Sequence, residues 1–190
     1  MGTLPATGLP FIEEEEADAQ TAALYATVKR AMQTPFVPNW MKAISASPAV
    51  LETYWAMYST FTARTTLPDS LAAMILYAVA SSNECRYCAS GNELACRLYG
   101  IDEETLGALV HDLDRVTPQR VQSIIKFALK VVHSPQAVAL ADYDELRSHG
   151  LSDEEILEIV LLAGIGQLND IIADALKIDV DPAVAQALGR

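Results

Sequence analysis

The chain has 190 residues, of which 51% are hydrophobic, and its net charge is −12. This charge argues against binding to nucleic acid or to anionic membranes, because both carry negative charge. The longest apolar runs are shorter than the ~20 residues that a membrane span needs, so we expect no membrane segment. The apolar surplus predicts contact with other subunits, since large apolar patches are rarely left exposed.

Apolar residues recur at helical spacing along the whole chain, and no segment alternates as a strand would. We therefore predict an all-α protein, with a single domain over 1–190 and a loose arm over 1–12. The acidic run Glu13–Glu16 is expected in the first turn of a helix that extends to Met32. Capping residues and prolines then predict where further helices begin in the first half of the chain. These are a short helix over Trp40–Ala46, a helix opened by Ser47-Pro48, and a buried helix opened by Pro68 that ends near Ser81–Ser82.

The second half of the chain contains similar signals. Asn83 is predicted to cap a helix that carries two cysteines and runs to Tyr99. Later starts are predicted at Asp102, at Thr117-Pro118, after Pro135, and at Ser152, where Glu155 completes a capping box. The last long helix should run from Asp153 to about Leu168, with Asn169–Leu176 continuing or following it. The segments 67–88 and 151–172 are loosely alike, which suggests a duplicated two-helix unit.

Cys85 and Cys88 form a C-x-x-C, the one reactive constellation in the sequence. Residues three apart on a helix lie ~5–6 Å apart, which is within reach of a disulfide. Three interpretations remain open: a redox-active dithiol, which we favour, two buried structural thiols, and a metal site. We expect no metal, because zinc takes about four ligands and a second C-x-x-C is missing. Cys96 is too distant to join the pair, and His111, His133 and His149 are scattered.

The ordered motifs resemble the alkylhydroperoxidase D-like (AhpD-like) / carboxymuconolactone decarboxylase superfamily, specifically its peroxidase-related branch. The resemblance covers most of the chain. It rests on Phe36–Asn39 with Ser47-Pro48 and Tyr54-Trp55, on Asn83–Cys88, on Phe127–Lys130, and on Gly150–Ile156 with Asn169 and Ala173–Leu176. The resemblance implies an AhpD-like helical fold and assembly into homo-oligomers such as dimers, trimers or hexamers.

The resemblance also implies roles for individual residues. The active peroxidases of the family use both cysteines, which correspond to Cys85 and Cys88, with a histidine four residues later and a glutamate twelve residues earlier. Those two positions hold Asn92 and Ala73, so both proton-relay residues are absent. Asn92 cannot accept a proton at neutral pH. Asn92 and Glu84 are candidate polar neighbours of the cysteines. Glu93 is expected to be a solvated helix residue, and Tyr87 a packing residue.

We therefore predict thiol-dependent reduction of hydroperoxides by Cys85 and Cys88, with weakened proton transfer. The expected partners are a small hydroperoxide and a thiol reductant, with no cofactor. The cysteine usage favours a cytoplasmic protein. One alternative is a catalytically degenerate oligomeric protein that binds or assembles. Another is a decarboxylase-like enzyme, as elsewhere in the superfamily.

Overall fold

The computed structural model describes residues 7–190, so the part of the predicted loose arm before Thr7 lies outside the described residues. Ten α-helices account for most of this part of the chain, and it contains no strand. Two short 3₁₀ turns lie at Leu113–Arg115 and Pro135–Ala137. The α-helices are α1 (Ala19–Ala31), α2 (Asn39–Ile44), α3 (Pro48–Arg64), α4 (Asp69–Ser82), α5 (Arg86–Leu98), α6 (Glu103–His111), α7 (Gln119–His133), α8 (Leu140–Ser148), α9 (Asp153–Ala175) and α10 (Pro182–Ala187).

Most helix starts agree with the predicted capping signals. Ser47 and Pro48 occupy the N-cap and first positions of α3. Asp102 caps α6 by accepting a hydrogen bond from the backbone N–H of Thr105. Ser152 and Glu155 form the predicted capping box of α9. Asp102 and Ser152 work as caps because the first N–H groups of a helix have no partner within the helix and need a side-chain acceptor. Ser47 forms no such bond, and the fixed φ of Pro48 marks the start of α3 instead.

The acidic run Glu13–Glu16 is not in a helix, which corrects the prediction. Helix α1 begins only at Ala19, and its N-cap is Asp18, which accepts a hydrogen bond from the backbone N–H of Thr21. Glu13 and Glu14 instead pair with lysines of α2 and α1, respectively. The cap forms where a short acceptor side chain precedes the apolar periodicity, and that position is Asp18.

The proposed duplication of a two-helix unit is not seen in the helix pattern. Segment 67–88 contains α4, a turn and the start of α5, whereas residues 153–175 form one continuous helix. Residues 169–175 continue α9, which is one of the two alternatives predicted for this segment. Within it, Asn169 is half-buried and Asp170 is buried.

The core has two parts. In the larger part, α4 packs against α5, α6, α7 and α9, and its apolar residues are buried on nearly all sides. The second part lies between α1, α2 and α3 and the start of α5. Cys85 and Cys88 belong to this second part, together with Ala173 of α9. The dithiol therefore lies where the N-terminal helices meet α5 and α9.

Helix α9 is, among residues 7–190, the one helix long and apolar enough to cross a membrane by length and composition. Eight of its residues are buried, and it packs against α4, α5, α7 and α8. Core helices of soluble proteins meet the same criterion. The buried face of α9 therefore accounts for part of its apolar composition within this fold.

Candidate functional site

A tight turn between α4 and α5 places the first cysteine. Glu84 adopts a left-handed conformation with φ of 58°. Its backbone N–H donates to the carbonyl of Ser81, and the N–H of Cys85 donates to the carbonyl of Ala80. These two bonds are those of a Schellman motif, which ends a helix and reverses the chain within a few residues. Asn83 is therefore the C-cap of α4 rather than the predicted N-cap of α5.

Cys85 itself is the N-cap residue of α5, and Cys88 lies in the first turn. The carbonyl of Cys85 accepts the first helical hydrogen bond, from the N–H of Ala89. The N–H groups of the first turn and the helix dipole favour negative charge at this end, and hence a thiolate. Both cysteines thus lie at the positive end of the α5 dipole, although the helix begins later than predicted.

Both sulfurs are enclosed within the fold. Cys85 is 0% exposed and Cys88 is 8% exposed. Cys85, Cys88 and Cys96 are free thiols. Cys96 is buried in the larger core, apart from the pair, and burial raises the pKa of its thiol to about 12. Cys96 thus fills the core and does not join the pair, as its spacing predicted.

Asp170 of α9 is the carboxylate beside the dithiol, and it was not identified from the sequence. One of its oxygens and the sulfurs of Cys85 and Cys88 all lie within 4.8 Å of one another. Asp170 is 2% exposed. Its Oδ2 accepts a hydrogen bond of 2.7 Å from the Asn83 side chain, and that amide also donates to Oε1 of Gln167 at 3.0 Å. Asn83 therefore orients the carboxylate toward the thiols.

Burial is the main cause that raises the pKa of the Asp170 carboxyl. Hydrogen bonds from Asn83, Cys88 and Cys85 oppose this change. The Oδ1 atom of Asp170 has no hydrogen-bond partner among the described residues. A buried carboxylate with one unpaired oxygen has spare capacity to accept a proton or bind a cation.

The Cys88 thiol holds its proton tightly. A hydrogen bond with Cys85 is the first cause that raises the pKa of Cys88, followed by burial and by the charges of Cys85 and Asp170. The two cysteines also differ in position, because Cys85 is the N-cap of α5 and Cys88 lies in the first turn.

Aromatic side chains form one wall near Cys88. Tyr54 of α3 is close enough for its pKa to be raised by the charge of Cys88, after the larger effects of burial and Tyr58. The ring centroids of Trp40 and Tyr54 are 4.0 Å apart, and those of Tyr54 and Tyr58 are 5.8 Å apart. Trp40 and Tyr54 are buried in the same part of the core as the dithiol.

Tyr87, which lies between the two cysteines in sequence, links α5 to other elements. Its hydroxyl donates to Oδ2 of Asp181 at 2.8 Å and accepts from the backbone N–H of Trp40 at 3.1 Å. The other carboxylate oxygen of Asp181 accepts from the N–H of Asn39 at 2.8 Å. Tyr87 was predicted to be a packing residue, but it also fixes the start of α5 through this buried polar network.

The two predicted polar neighbours differ in position. Glu84 is exposed, so the carboxylate beside the sulfurs is Asp170 and not Glu84. Asn92 lies one turn beyond Cys88 on α5 and is half-buried. Ala73, at the position of the family glutamate, is buried in the larger core. Among the described residues, Asp170 is therefore the carboxylate that is placed to accept a proton from the thiols, which Asn92 and Ala73 cannot do.

Glu93 was predicted to be solvated, and this is wrong. It is 6% exposed, and its two oxygens accept hydrogen bonds from Arg97 and Arg190, each at 2.9 Å. The arginines provide the charge compensation that a buried carboxylate needs. Of the three histidines, His133 contacts Ser82 and His149 contacts Ser123, while His111 is exposed.

Known proteins share the fold of this chain. No protein-family model and no curated protein sequence matches the chain. The fold is similar to an uncharacterized peroxidase-related protein with an AhpD core from Ralstonia eutropha JMP134, at a TM-score of 0.86 and 20% identity, over 97% of this chain and 96% of that one. It is also similar to a peroxidase-related protein from Silicibacter sp. TM1040, at a TM-score of 0.82 and 24% identity, over 96% and 95% of the two chains.

A third similar structure is a cysteine-to-alanine variant of the debrominase Bmp8, in complex with 2,3,4-tribromopyrrole. Its TM-score is 0.79 at 17% identity, over 100% of this chain and 97% of that one. The chain therefore has the AhpD-like fold that its motifs predicted. At these identities the similarity establishes the fold, and the chemistry has to be argued from the residues of the site.

Proposed function

We propose that this AhpD-like protein reduces small hydroperoxides with the Cys85–Cys88 dithiol, and that Asp170 accepts the proton. The observation that carries the proposal is the buried carboxylate of Asp170 beside both sulfurs. It supplies an acceptor in place of the family glutamate and histidine, whose positions hold Ala73 and Asn92. A positioned general base typically accelerates such a step by ~10²–10⁴-fold.

Cys85 is the attacking residue in this mechanism. Its thiol proton passes to Asp170, and the thiolate attacks the terminal peroxide oxygen. The O–O bond breaks, the leaving alkoxide or hydroxide takes the proton back from Asp170 and departs as an alcohol or water, and Cys85 becomes a sulfenic acid. Cys88, whose raised pKa keeps it protonated until then, attacks the sulfenic sulfur. Water leaves and a disulfide forms.

Over the whole reaction, the two thiols lose two electrons and two protons, and the peroxide gains them. An external thiol reductant must then reduce the disulfide for another cycle. The enclosure of both sulfurs favours hydrogen peroxide or a short alkyl hydroperoxide over a bulky lipid peroxide.

The test compares two serine variants under single-turnover conditions. In Cys88→Ser, the first step still occurs but the disulfide cannot form, so a sulfenic acid should accumulate at Cys85 and be trapped by dimedone. In Cys85→Ser, peroxide should leave no dimedone adduct at position 88. Mass spectrometry of the peptides gives the readout, and Cys96→Ala is the control that should behave like the unmodified protein.

Peroxide consumption that survives in both serine variants would contradict a dithiol mechanism. The opposite pattern would show that Cys88 attacks first. In that case Cys85→Ser would carry a dimedone adduct at Cys88, and Cys88→Ser would carry none at Cys85. Two thiols that stay reduced in excess peroxide would favour the catalytically degenerate alternative.

A second activity should be assayed in parallel because of the similarity to a debrominase. The aromatic wall of Trp40, Tyr54 and Tyr58 lies in the same part of the core as Cys88, so we propose a flat ring as the substrate to test. Reductive debromination would also convert the dithiol to a disulfide, with hydrogen replacing bromine and bromide leaving. Bromide release from 2,3,4-tribromopyrrole, measured with reduced protein, tests this activity.

A further inference from the structure

We infer that Cys85, Cys88 and Asp170 also form a binding site for a thiophilic divalent metal ion such as Zn²⁺. The sequence argued against a metal because its C-x-x-C supplies only two of the roughly four ligands that zinc takes. The fold adds a third ligand from a distant helix. Among residues 7–190 this is the one cluster of three or more histidine, cysteine or acidic side chains with ligand atoms close enough for one ion.

The donor set and its spacing suit a tetrahedral site. Two thiolates and one carboxylate match the ligands of zinc, at ~2.3 Å for sulfur and ~2.0–2.2 Å for oxygen. Those bond lengths place neighbouring ligand atoms ~3.5–3.8 Å apart. The three atoms here lie within 4.8 Å of one another, so shifts of about 1 Å complete the site. The fourth position is left to water or a small ligand.

The charge of the site also favours a cation. Glu93, a buried carboxylate on the helix that carries the dithiol, is paired with Arg97 and Arg190, and both oxygens of the buried Asp181 accept hydrogen bonds. Asp170 is as deeply buried, yet among the described residues it forms no ion pair and its Oδ1 accepts no hydrogen bond. Buried carboxylates are normally protonated, paired with a cation or bound to a metal. A divalent ion would neutralise the carboxylate and one of the two thiolates, and would attract the other.

The neighbouring amides orient the carboxylate for this role. Asn83 holds Oδ2 of Asp170, while Oδ1 has no partner among the described residues. Gln167 accepts the other hydrogen of the Asn83 amide and so fixes its orientation. Such outer contacts position metal ligands and typically contribute ~10–100-fold to metal affinity.

Metal binding and peroxide reduction exclude each other at this site. Both thiols must lose their protons to solvent before they bind the ion, and the bound sulfurs are then shielded from oxidants. Loading with metal thus switches the dithiol off, and removal of the metal restores it. The inference does not depend on the proposed peroxidase function, because the metal binds the reduced protein without any peroxide.

The test titrates the reduced full-length protein with Co²⁺, whose thiolate charge-transfer absorption reports sulfur ligation, and then displaces it with Zn²⁺. One ion per chain is expected. Cys85→Ser and Cys88→Ser should lose most of the absorption, and Asp170→Asn should weaken binding at least ~10-fold. Glu154→Gln, which changes an exposed carboxylate at the other end of α9, and Cys96→Ala are controls that should bind like the unmodified protein.

Circular dichroism checks that each variant is folded, and Asp170→Glu, which keeps a carboxylate, should bind more tightly than Asp170→Asn. On the unmodified protein, Zn²⁺ should protect Cys85 and Cys88 from alkylation, as read by mass spectrometry. If the unmodified protein shows neither charge-transfer absorption nor protection from alkylation, the inference is overturned. If Asp170→Asn binds Co²⁺ with unchanged affinity, Asp170 is not a ligand. Binding of Co²⁺ by a protein that leaves peroxide intact would refute only the proposed peroxidase function.

Discussion

At the scale of single residues, the site depends on one carboxylate that occupies neither position of the family relay. Asp170 lies in an apolar stretch of α9, and burial raises its pKa. A carboxyl group that holds its proton more tightly is a better base for a thiol than an exposed aspartate would be. In the proposed mechanism, Asp170 is therefore the proton acceptor, since Asn92 and Ala73 cannot take that role.

We expect Asp170→Asn to slow the oxidation of the dithiol by hydrogen peroxide by about 10²-fold or more, because an amide cannot accept the thiol proton. The rate is measured as loss of free thiols in single-turnover mixing experiments. Glu154→Gln, at the other end of the same helix, is the matched control and should keep the rate of the unmodified protein. Equal rates in Asp170→Asn and Glu154→Gln would show that the proton goes elsewhere.

At the scale of elements, the close contact of α9 with α4 brings Asp170 to the cysteines. Gly166 of α9 allows this contact, since a Cβ there would lie 3.1 Å from a Leu76 methyl and 3.2 Å from a Val79 methyl. The same α4 ends in the turn that places Cys85. The register between α4 and α9 therefore sets the distance between the carboxylate and the sulfurs.

We expect Gly166→Ala to lower the free energy of unfolding by about 1 kcal/mol, because the steric cost of overpacking exceeds the gain in helix propensity. Gly107→Ala is the matched control in α6, where an added Cβ meets no atom within 4 Å. That variant should raise the free energy of unfolding by about 0.5–1 kcal/mol. Urea denaturation measures both, and stabilisation by Gly166→Ala would contradict the close contact.

At the scale of the whole molecule, the predicted homo-oligomer stays a prediction. Helix α9 has one buried face, and its other face carries four exposed apolar residues at helical spacing. These are Leu157, Leu161, Leu168 and Ile171, between 38% and 69% exposed. An apolar stripe of this kind is the surface on which we expect a second copy of the chain to pack.

We expect light scattering during gel filtration to give a mass that is a multiple of the 20.6 kDa chain. Leu161→Glu should lower that mass, because a charge in an apolar interface loses its hydration without a partner. Leu140→Glu, on an exposed residue of α8, is the matched control and should leave the mass unchanged. A single-chain mass for the unmodified protein would contradict the prediction.

The sequence by itself determined the all-helical architecture, most helix starts and the reactive pair, because capping, apolar periodicity and a C-x-x-C are properties of neighbouring residues. From the sequence alone, Asn83 was assigned to the start of α5, whereas it ends α4. The left-handed residue that follows it is Glu84, and a glycine, the usual signal for such a helix end, is missing there. Only the tertiary structure identified Asp170 as the partner of Cys85 and Cys88 and paired Glu93 with Arg190. Those contacts join residues that are far apart in the chain, and their distances are set by how the helices pack, which no local pattern records.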